Sequence, residues 1–228
     1  MASNLQGRIK DYILVNRLRP GDLLPNEPSL MAALGVGRHP LREAIKGLQA
    51  IGIVTIRPGT GTFVADLSFD ALEAGVGFML SRAVAEHDFQ RIGKTLQVRE
   101  AIEIGLTQRV FDAVTTEQLD RLDEVLAQMT ARADAGEKLG DIDFAFHLAL
   151  YDTLGNPLVT ELISVFFRTM EMAKEWEGYR PPDPHARVGW HRDLVQALRN
   201  GNPAAYTAAM GGHFASIDDE FPITELPQ

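Results

Sequence analysis

The sequence contains no cysteine, and this absence excludes disulfides and thiolate metal sites together. Its longest apolar stretches, such as AGVGFML, are far too short to span a bilayer. The first residues, MASNLQGRIK, lack a basic segment followed by an apolar one, so no export signal is visible. These absences favour a cytoplasmic protein without a membrane partner.

Basic residues are scarce overall, with 22 Lys and Arg against 31 Asp and Glu, but they are unevenly placed. Residues 1–66 carry eight Lys and Arg against five Asp and Glu, a net +3; the other residues carry 14 against 26, a net −12. Phosphate contacts act within about 8–10 Å, so nucleic-acid binding needs only a local basic face. The pattern therefore favours a small basic module joined to a larger acidic one, and 228 residues suffice for both.

Three helical patterns, separated by turn residues, fill most of the basic module. The predicted helices cover 5–18, 28–34 and 39–52, and Asn26 or Glu27 begins the second. The third presents Arg38, Arg42 and Lys46 opposite its apolar face. The apolar positions expected on the first and third helices are Leu5, Ile9, Tyr12, Ile13, Leu18, Leu41, Ile45, Leu48 and Ile51.

Two β-branched runs, 54–56 and 62–64, follow these helices and flank the turn PGTG, which is typical of a hairpin. A helix, a helix-turn-helix pair and a two-stranded wing form a layout that docks on DNA. The second helix of the pair then enters the major groove, with its first residues nearest the bases. On an isolated helix, the basic residues would be an ordinary solvated face; the turn and wing favour DNA binding.

Residues 20–64 resemble the winged-helix domain of the GntR family of regulators. The matching pieces are PGD-LP-E, the recognition-helix start G-V-x-R-x-P-x-R-E-A and the wing G-x-G-T-F-V. The resemblance implies that the start of the recognition helix and the wing tip contact DNA through Arg38, His39, Arg42, Lys46, Gly59, Thr60 and Gly61.

Two positions depart from the family pattern. Pro28 stands where many members have a DNA-contacting arginine, and Gly37 stands where a Ser or Thr usually caps the recognition helix. Loss of such a cap costs about 0.5–2 kcal/mol unless another group substitutes. Both departures predict altered or weaker operator contacts on an unchanged fold.

The rest of the chain shows helical periodicity without a convincing strand. The predicted fold class is mainly α: a winged helix-turn-helix followed by an antiparallel bundle of about seven helices. The predicted division is a DNA-binding domain over 1–66, a linker and helix start over 67–76, and a helical ligand-binding domain over 77–228. The bundle helices are expected near 69–83, 87–113, 116–135, 139–154, 157–177, 184–199 and 202–219.

Four polar residues stand out in these helices. Asp143 and His147 are spaced i,i+4 on one helical face between apolar neighbours, and His191 and His213 lie on later helices. Burial of an unpaired carboxylate or imidazole is costly, so a partner is expected. A divalent ion held by one carboxylate oxygen and three imidazoles would satisfy all four, although a helical histidine is more often a surface or hydrogen-bonded residue.

The segments DIDFAFHLALYDTLGNPLV and WHRDLVQALRNGNPAAYTAAMGGHF resemble the FCD domain of FadR-type GntR regulators. In metal-binding members an Asp-x3-His helix and two later histidines are the ligands, which implies Asp143, His147, His191 and His213 here. Zinc is the preferred ion, and nickel or manganese suits the same set. The segment VREAIE implies that Arg99 and Glu103 face an effector cavity, with a small organic acid as the expected effector.

Other interpretations stay open for several residues. Arg99 and Glu103 are also spaced to pair with each other across one helical turn. Trp176, Tyr179 and Trp190 either line the pocket or pack the bundle, and packing is preferred. The proline-rich segment 179–190 is either a mobile flap or an ordinary surface loop. His87 and His185 are expected at the surface.

The sequence therefore predicts a homodimeric, allosteric transcriptional regulator that binds a palindromic operator and is not an enzyme. The expected regulatory sign is that of a repressor. Effector binding would favour one arrangement of the two DNA-binding modules over another. A metal-free, acyl-CoA-responsive regulator is the first alternative. A metal-dependent hydrolase is the second, although no further acid or base lies at a fixed spacing from the metal ligands.

Overall fold

The computed structural model describes residues 2–66, 68–173 and 183–218. Within these residues the chain forms eleven helices and one two-stranded sheet, divided into compact units over Met1–Ala74 and Gly75–Gln228. The mainly helical fold class is confirmed. In the same residues, none of the helices combines the length and apolar character needed to cross a bilayer.

The first unit packs three helices around one apolar core. They are α1 (Ala2–Val15), α2 (Glu27–Leu34) and α3 (Arg38–Ala50), and α3 packs against both others. Helix α1 ends before the predicted residue 18, because Arg17 takes a left-handed φ of 54°. The core consists of Leu5, Ile9, Ile13, Leu24, Leu30, Leu34, Leu41, Ala44, Ile45, Leu48 and Val54.

Helix caps set the turn between the second and third helices and the exit towards the wing. The side chain of Asn26 accepts a hydrogen bond from the Ser29 N–H at 3.0 Å, so Asn26 begins α2. After α3, Gly52 takes a left-handed φ of 71°, and Ile53 N–H donates to Leu48 C=O at 2.9 Å. Ile51, predicted on the apolar face of α3, instead lies beyond the helix and is exposed.

The wing is an antiparallel hairpin of β1 (Val54–Arg57) and β2 (Gly61–Val64). Its register pairs Val54 with Val64 and Arg57 with Gly61. On the other edge of β2, residues 21–24 hydrogen-bond to Thr62 and Val64. The hairpin is therefore held on both edges of β2, and its tip, residues 58–60, projects into solvent.

The second unit is a helical bundle. Its described residues form eight helices, one more than the seven predicted. The expected helix over 87–113 is two helices: Gly105 ends one, and Thr107 begins the next after Leu106. The helices are α4 (Asp70–Ala85), α5 (Phe89–Gly105), α6 (Thr107–Ala113), α7 (Thr116–Asp134), α8 (Gly140–Asp152), α9 (Pro157–Ala173), α10 (Pro184–Arg199) and α11 (Pro203–Asp218).

The packing order of these helices brings distant segments of the chain to one core. Helix α10 packs against α7 and α11, α8 packs against α7 and α9, and α11 packs against α5 and α6. The largest fully buried side chains of this unit include Tyr151, Tyr206 and Phe146. Helices α8, α10 and α11, which carry the four residues predicted to bind metal, thus meet within one bundle.

Candidate functional site

The recognition helix α3 presents its basic side chains to solvent. Arg38 and Arg42 are 64% and 56% exposed, and both face Glu27 at the start of α2. Arg42 Nε donates to Glu27 Oε1 at 2.6 Å, whereas Arg38 Nε lies 3.8 Å from Oε2. The hydrogen bond and charge of Arg42 lower the pKa of the Glu27 carboxyl. Sequence reasoning missed this role of Glu27, although the residue belongs to the PGD-LP-E motif.

The other predicted DNA contacts are also at the surface. His39 and Lys46 are exposed on α3, and Lys46 Nζ lies 3.0 Å from Glu43 Oε1. Gly59 and Thr60 form the wing tip, where Gly59 has a left-handed φ of 73°. Gly61 has a φ of 139°, and a Cβ there would lie 2.7 Å from Leu23 Cδ1. Both glycines therefore serve the shape of the wing.

Helix α3 begins without a side-chain cap, as the departure at Gly37 predicts. Gly37 has an extended backbone, and only its carbonyl participates, accepting from Leu41 N–H at 3.2 Å. Pro40 in the first turn has no N–H to satisfy, which removes one donor from those that a cap would serve. Pro28, the other departure, lies exposed in the first turn of α2.

The four residues predicted to bind metal converge in the second unit. Asp143 and His147 project from α8, His191 from α10 and His213 from α11, and all four are buried. One ligand atom from each lies within 4.8 Å of every other. The Nε2 atoms of His191 and His147 lie 2.8 Å and 3.7 Å from Oδ1 of Asp143.

The donor set fits a divalent ion. Asp143 Oδ1 and the Nε2 atoms of His147 and His191 have no hydrogen bond of proper geometry among the described residues. Buried polar atoms left in this state carry a large desolvation cost.

The outer ring nitrogens of two cluster histidines contact acceptors. His191 Nδ1 lies 2.8 Å from the backbone carbonyl of Arg187, one helical turn earlier. His147 Nδ1 lies 2.9 Å from Glu103 Oε2 on α5. In both rings the Nε2 atom is therefore the one directed at Asp143, the arrangement that metal-binding histidines adopt.

Arg99 and Glu103 pair with each other, as their i,i+4 spacing allows. Arg99 Nε lies 2.5 Å from Glu103 Oε1, and the two side chains are 4% and 0% exposed. The Arg99 guanidinium stacks over Phe167 at 4.0 Å and near Phe214 at 5.2 Å. Its Nη2 atom has no hydrogen-bond partner among the described residues. Arg99 thus keeps one donor available beside the cluster.

Opposing effects set the ionisation of this buried group of residues. Burial raises the pKa of the Glu103 carboxyl, but the charge of Arg99 and the contact with His147 outweigh it and hold that pKa well below its usual range. Burial likewise raises the pKa of Asp143, and His191 and Arg187 more than reverse it. Burial lowers the pKa of His147. The ionised carboxylates and the neutral imidazole are the forms that bind a cation.

Of the three aromatic residues considered for the pocket, the structure describes Trp190. The Trp190 ring lies 6.0 Å from the His213 ring, so Trp190 borders the cluster while it also packs within the bundle. Trp176 and Tyr179 lie outside the described residues, as does the start of the predicted flap, 179–182. The later part of the segment belongs to α10, which begins at Pro184. Asp183 caps this helix, and its side chain accepts a hydrogen bond from Ala186 N–H at 3.3 Å.

Acid should destabilise the metal-free protein. Burial lowers the pKa of His147 and His213 in the folded state, so below the unfolded value of about 6.5 the unfolded chain binds more protons. Stability then falls as pH falls, by up to about 1.4 kcal/mol per pH unit for each such histidine. Below about pH 4, Asp143 and Glu103 add losses of the same sign.

Urea unfolding in the presence of a chelator, at pH 7.5, 6.0 and 5.0, measures this dependence. A free energy of unfolding that stays constant from pH 7.5 to 5.0 would show that neither imidazole stays neutral in the fold.

A helix-turn-helix with a two-stranded wing, followed by a helical bundle with a buried polar cluster, defines a DNA-binding transcriptional regulator with an effector-binding domain. Residues 1–64 match the family described as "Bacterial regulatory proteins, gntR family", and residues 94–216 match the FCD domain. The chain belongs to the GntR family, with an FCD domain as its second domain.

Known relatives agree with this assignment. The HTH-type transcriptional regulator LutR of Bacillus subtilis is 30% identical over 207 residues, which cover 89% of this chain and 92% of LutR. The HTH-type transcriptional repressor NanR of Citrobacter rodentium is 27% identical over 95% of this chain and 84% of its own length. These relatives are transcription regulators and not enzymes.

The fold has a solved counterpart. A Streptococcus agalactiae GntR structure superposes with a TM-score of 0.68 at 24% identity and covers 96% of this chain and 99% of that one.

Proposed function

We propose that this regulator is a homodimeric repressor whose operator affinity is controlled by a small carboxylate bound beside a divalent ion. The observation that carries the proposal is the buried cluster of one carboxylate and three imidazoles with their ligand atoms within 4.8 Å of one another. Asp143, His147, His191 and His213 would hold the ion. Zinc is the first candidate, and nickel or manganese suits the same ligands.

A bound ion would supply positive charge and open coordination positions for carboxylate oxygens. Arg99 supports a carboxylate effector, because its Nη2 donor is unsatisfied and its guanidinium is held by aromatic rings beside the cluster. Glu103 lies at the same place and keeps Arg99 oriented. Both residues are proposed members of the effector pocket wall.

DNA binding is proposed to use two copies of the first unit. In each, Arg38, Arg42, Lys46 and His39 would enter a major groove, while Gly59, Thr60 and Gly61 at the wing would approach the backbone. A homodimer then requires a palindromic operator with half-sites about 34–36 Å apart. Phe78 and Val98 of the second unit, 71% and 54% exposed, offer apolar surface to a second copy. A repressive sign is supported by the relatives named repressors.

A thermal-shift screen tests the proposed effector class. Chelator-treated protein is screened against short-chain mono- and dicarboxylic and hydroxy acids, with and without one equivalent of zinc. A true effector at 100 times its Kd should stabilise the protein by about 2.7 kcal/mol, and only when zinc is present. The same compound should shift operator affinity, since a ligand acts only through differential binding to two states.

The screen also separates the remaining alternative. Stabilisation by acyl-CoA that is unaffected by chelation, with no response to any acid, would replace this proposal with the metal-free regulator. Single alanine variants of Arg99 and of the exposed Arg109 provide a matched pair, because only the former should lose the response to carboxylates.

A further inference from the structure

Glu103 occupies an unusual position for a carboxylate. It lies in the last turn of α5 with a side chain that is 0% exposed, and it is not one of the four proposed metal ligands. Three side chains face it: Arg99 from the preceding turn of α5, and His147 and Tyr151 from α8. Arg99 Nε lies 2.5 Å from its Oε1, Tyr151 O–H donates to its Oε2 at 2.8 Å, and His147 Nδ1 lies 2.9 Å from the same oxygen.

We propose that Glu103 is a positioning residue of the metal centre: it accepts the Nδ1–H of His147 and so holds Nε2 of that ring towards the ion. This proposal rests on the metal site proposed above. It assigns Glu103 a role towards a ligand of the ion, in addition to its place in the proposed pocket wall, because both its oxygens face donors within the protein.

The direction of the contact follows from the donors and acceptors present. An ionised carboxylate accepts hydrogen bonds and donates none. Oε2 receives one from Tyr151 and has capacity for a second, and the atom facing it is Nδ1 of His147. The 2.9 Å distance is that of a hydrogen bond, although the angle at Nδ1 falls outside hydrogen-bond geometry. A proton on Nδ1 leaves the Nε2 lone pair for the cluster.

The second cluster histidine shows the same arrangement with a different acceptor. His191 Nδ1 lies 2.8 Å from the Arg187 backbone carbonyl, a group that also only accepts. His191 Nε2 is again the atom beside Asp143. The difference is that His191 is held by its own helix, whereas His147 depends on a side chain from α5. Orientation of His147 therefore requires the residue at position 103.

Arg99 and Tyr151 make this acceptor rigid. Arg99 binds the oxygen that His147 does not use, and its guanidinium is itself fixed over the ring of Phe167. Tyr151 lies on the same helix as His147, one turn later, so it ties the carboxylate to α8. A carboxylate fixed at both oxygens restricts the ring that it contacts, as outer-sphere partners do in metal sites.

The test uses zinc affinity of the full chain and the protonation site of the His147 ring. Zinc affinity of Glu103→Gln, by competition with a chromophoric chelator, should be about 10–100-fold weaker than wild type. Glu100→Gln, which removes the same charge from a half-buried position of the same helix, should bind zinc like wild type. Nitrogen-15 spectra of the metal-free wild type should show His147 protonated at Nδ1.

Weaker zinc binding by Glu103→Gln has a competing explanation: the variant leaves Arg99 without its carboxylate partner, and an unpaired cation repels zinc. The double variant Arg99→Met with Glu103→Gln removes that charge. If zinc affinity stays 10–100-fold low, the positioning role is supported; if it returns to the wild-type value, the role is wrong. Unchanged affinity in Glu103→Gln also contradicts it.

The remaining outcomes separate this proposal from the metal site itself. Wild-type protein that binds no zinc overturns the site, and this inference with it. Zinc binding by wild type together with a ring protonated at Nε2 overturns the inference alone. That last measurement needs no variant, so it holds even if Glu103→Gln fails to fold.

Discussion

Replacing His147 with alanine should abolish stoichiometric zinc binding by the purified regulator. The change removes one of the four proposed ligands, whose Nε2 lies 3.7 Å from Asp143 Oδ1 and whose ring is fully buried. The loss should exceed the 10–100-fold effect typical of an outer-sphere residue, because a bound ligand itself disappears. Elemental analysis after dialysis and a competition titration measure it.

His185→Ala is the matched control for this experiment. His185 is also a helical histidine, but it is exposed and lies in the first turn of α10, away from the four ligands. Its zinc content should equal that of wild type. If His147→Ala retains full metal content with native far-UV dichroism, the ion binds elsewhere and the cluster is a hydrogen-bonded core.

Thermal stability gives a second measure of the same change. Zinc at 100 times its Kd should stabilise the wild-type protein by about 2.7 kcal/mol, since it binds the folded state. A chelator should therefore lower the wild-type Tm by several degrees and leave His147→Ala unaffected. The cavity left by the imidazole lowers the starting Tm of the variant, so the comparison concerns the shift and not the absolute value.

The sequence was sufficient to predict features that depend on local chemistry. Asn26 begins α2 as its side chain suggests, accepting a hydrogen bond from the N–H of Ser29 three residues later. The wing strands follow from β-branched runs on either side of a glycine turn. Spacing and the family motif predicted one site for the four residues of the cluster. These residues converge because the helices that carry them pack together.

Features that depend on contacts between distant segments could not be predicted. The side-chain amide of Gln118, in the first turn of α7, donates to the carbonyl of Ala149 on α8. Glu103 and His147 are separated by 43 intervening residues, and no periodicity reports that they touch. For Arg99, spacing alone allowed either a pair with Glu103 or a cavity contact; packing against Phe167 decides its orientation.

The recognition surface illustrates the same limit. The motif predicts Arg38 and Arg42 as DNA contacts, but it does not predict that both face Glu27 in the DNA-free protein. These pairs are exposed, so they contribute little to stability. Their effect is on side-chain orientation, because Arg42 is held at 2.6 Å by an acceptor on the neighbouring helix. A DNA phosphate or base must therefore either displace Glu27 from the Arg42 guanidinium or contact Arg42 in the position that Glu27 gives it.

Arg42→Ala should weaken operator binding by about 1–3 kcal/mol, a roughly 5–150-fold increase in Kd. Arg42 is 56% exposed on the first turns of α3, the part of a recognition helix that enters the major groove. Fluorescence anisotropy at fixed salt, with a duplex selected by the wild-type protein from a random library, measures the loss. Arg109→Ala removes the same charge from the exposed surface of α6 and is the control.

The salt dependence distinguishes two ways in which Arg42 could act. A phosphate contact would lower the slope of log K against log salt by about one unit and weaken all duplexes equally. A base contact would leave the slope nearly unchanged and relax the preference at one operator position.

Because Glu27 holds one edge of the guanidinium, Glu27→Gln should strengthen binding to duplexes of any sequence if that carboxylate repels phosphate. Operator affinity of Arg42→Ala equal to that of wild type would show that α3 does not dock by its first turns.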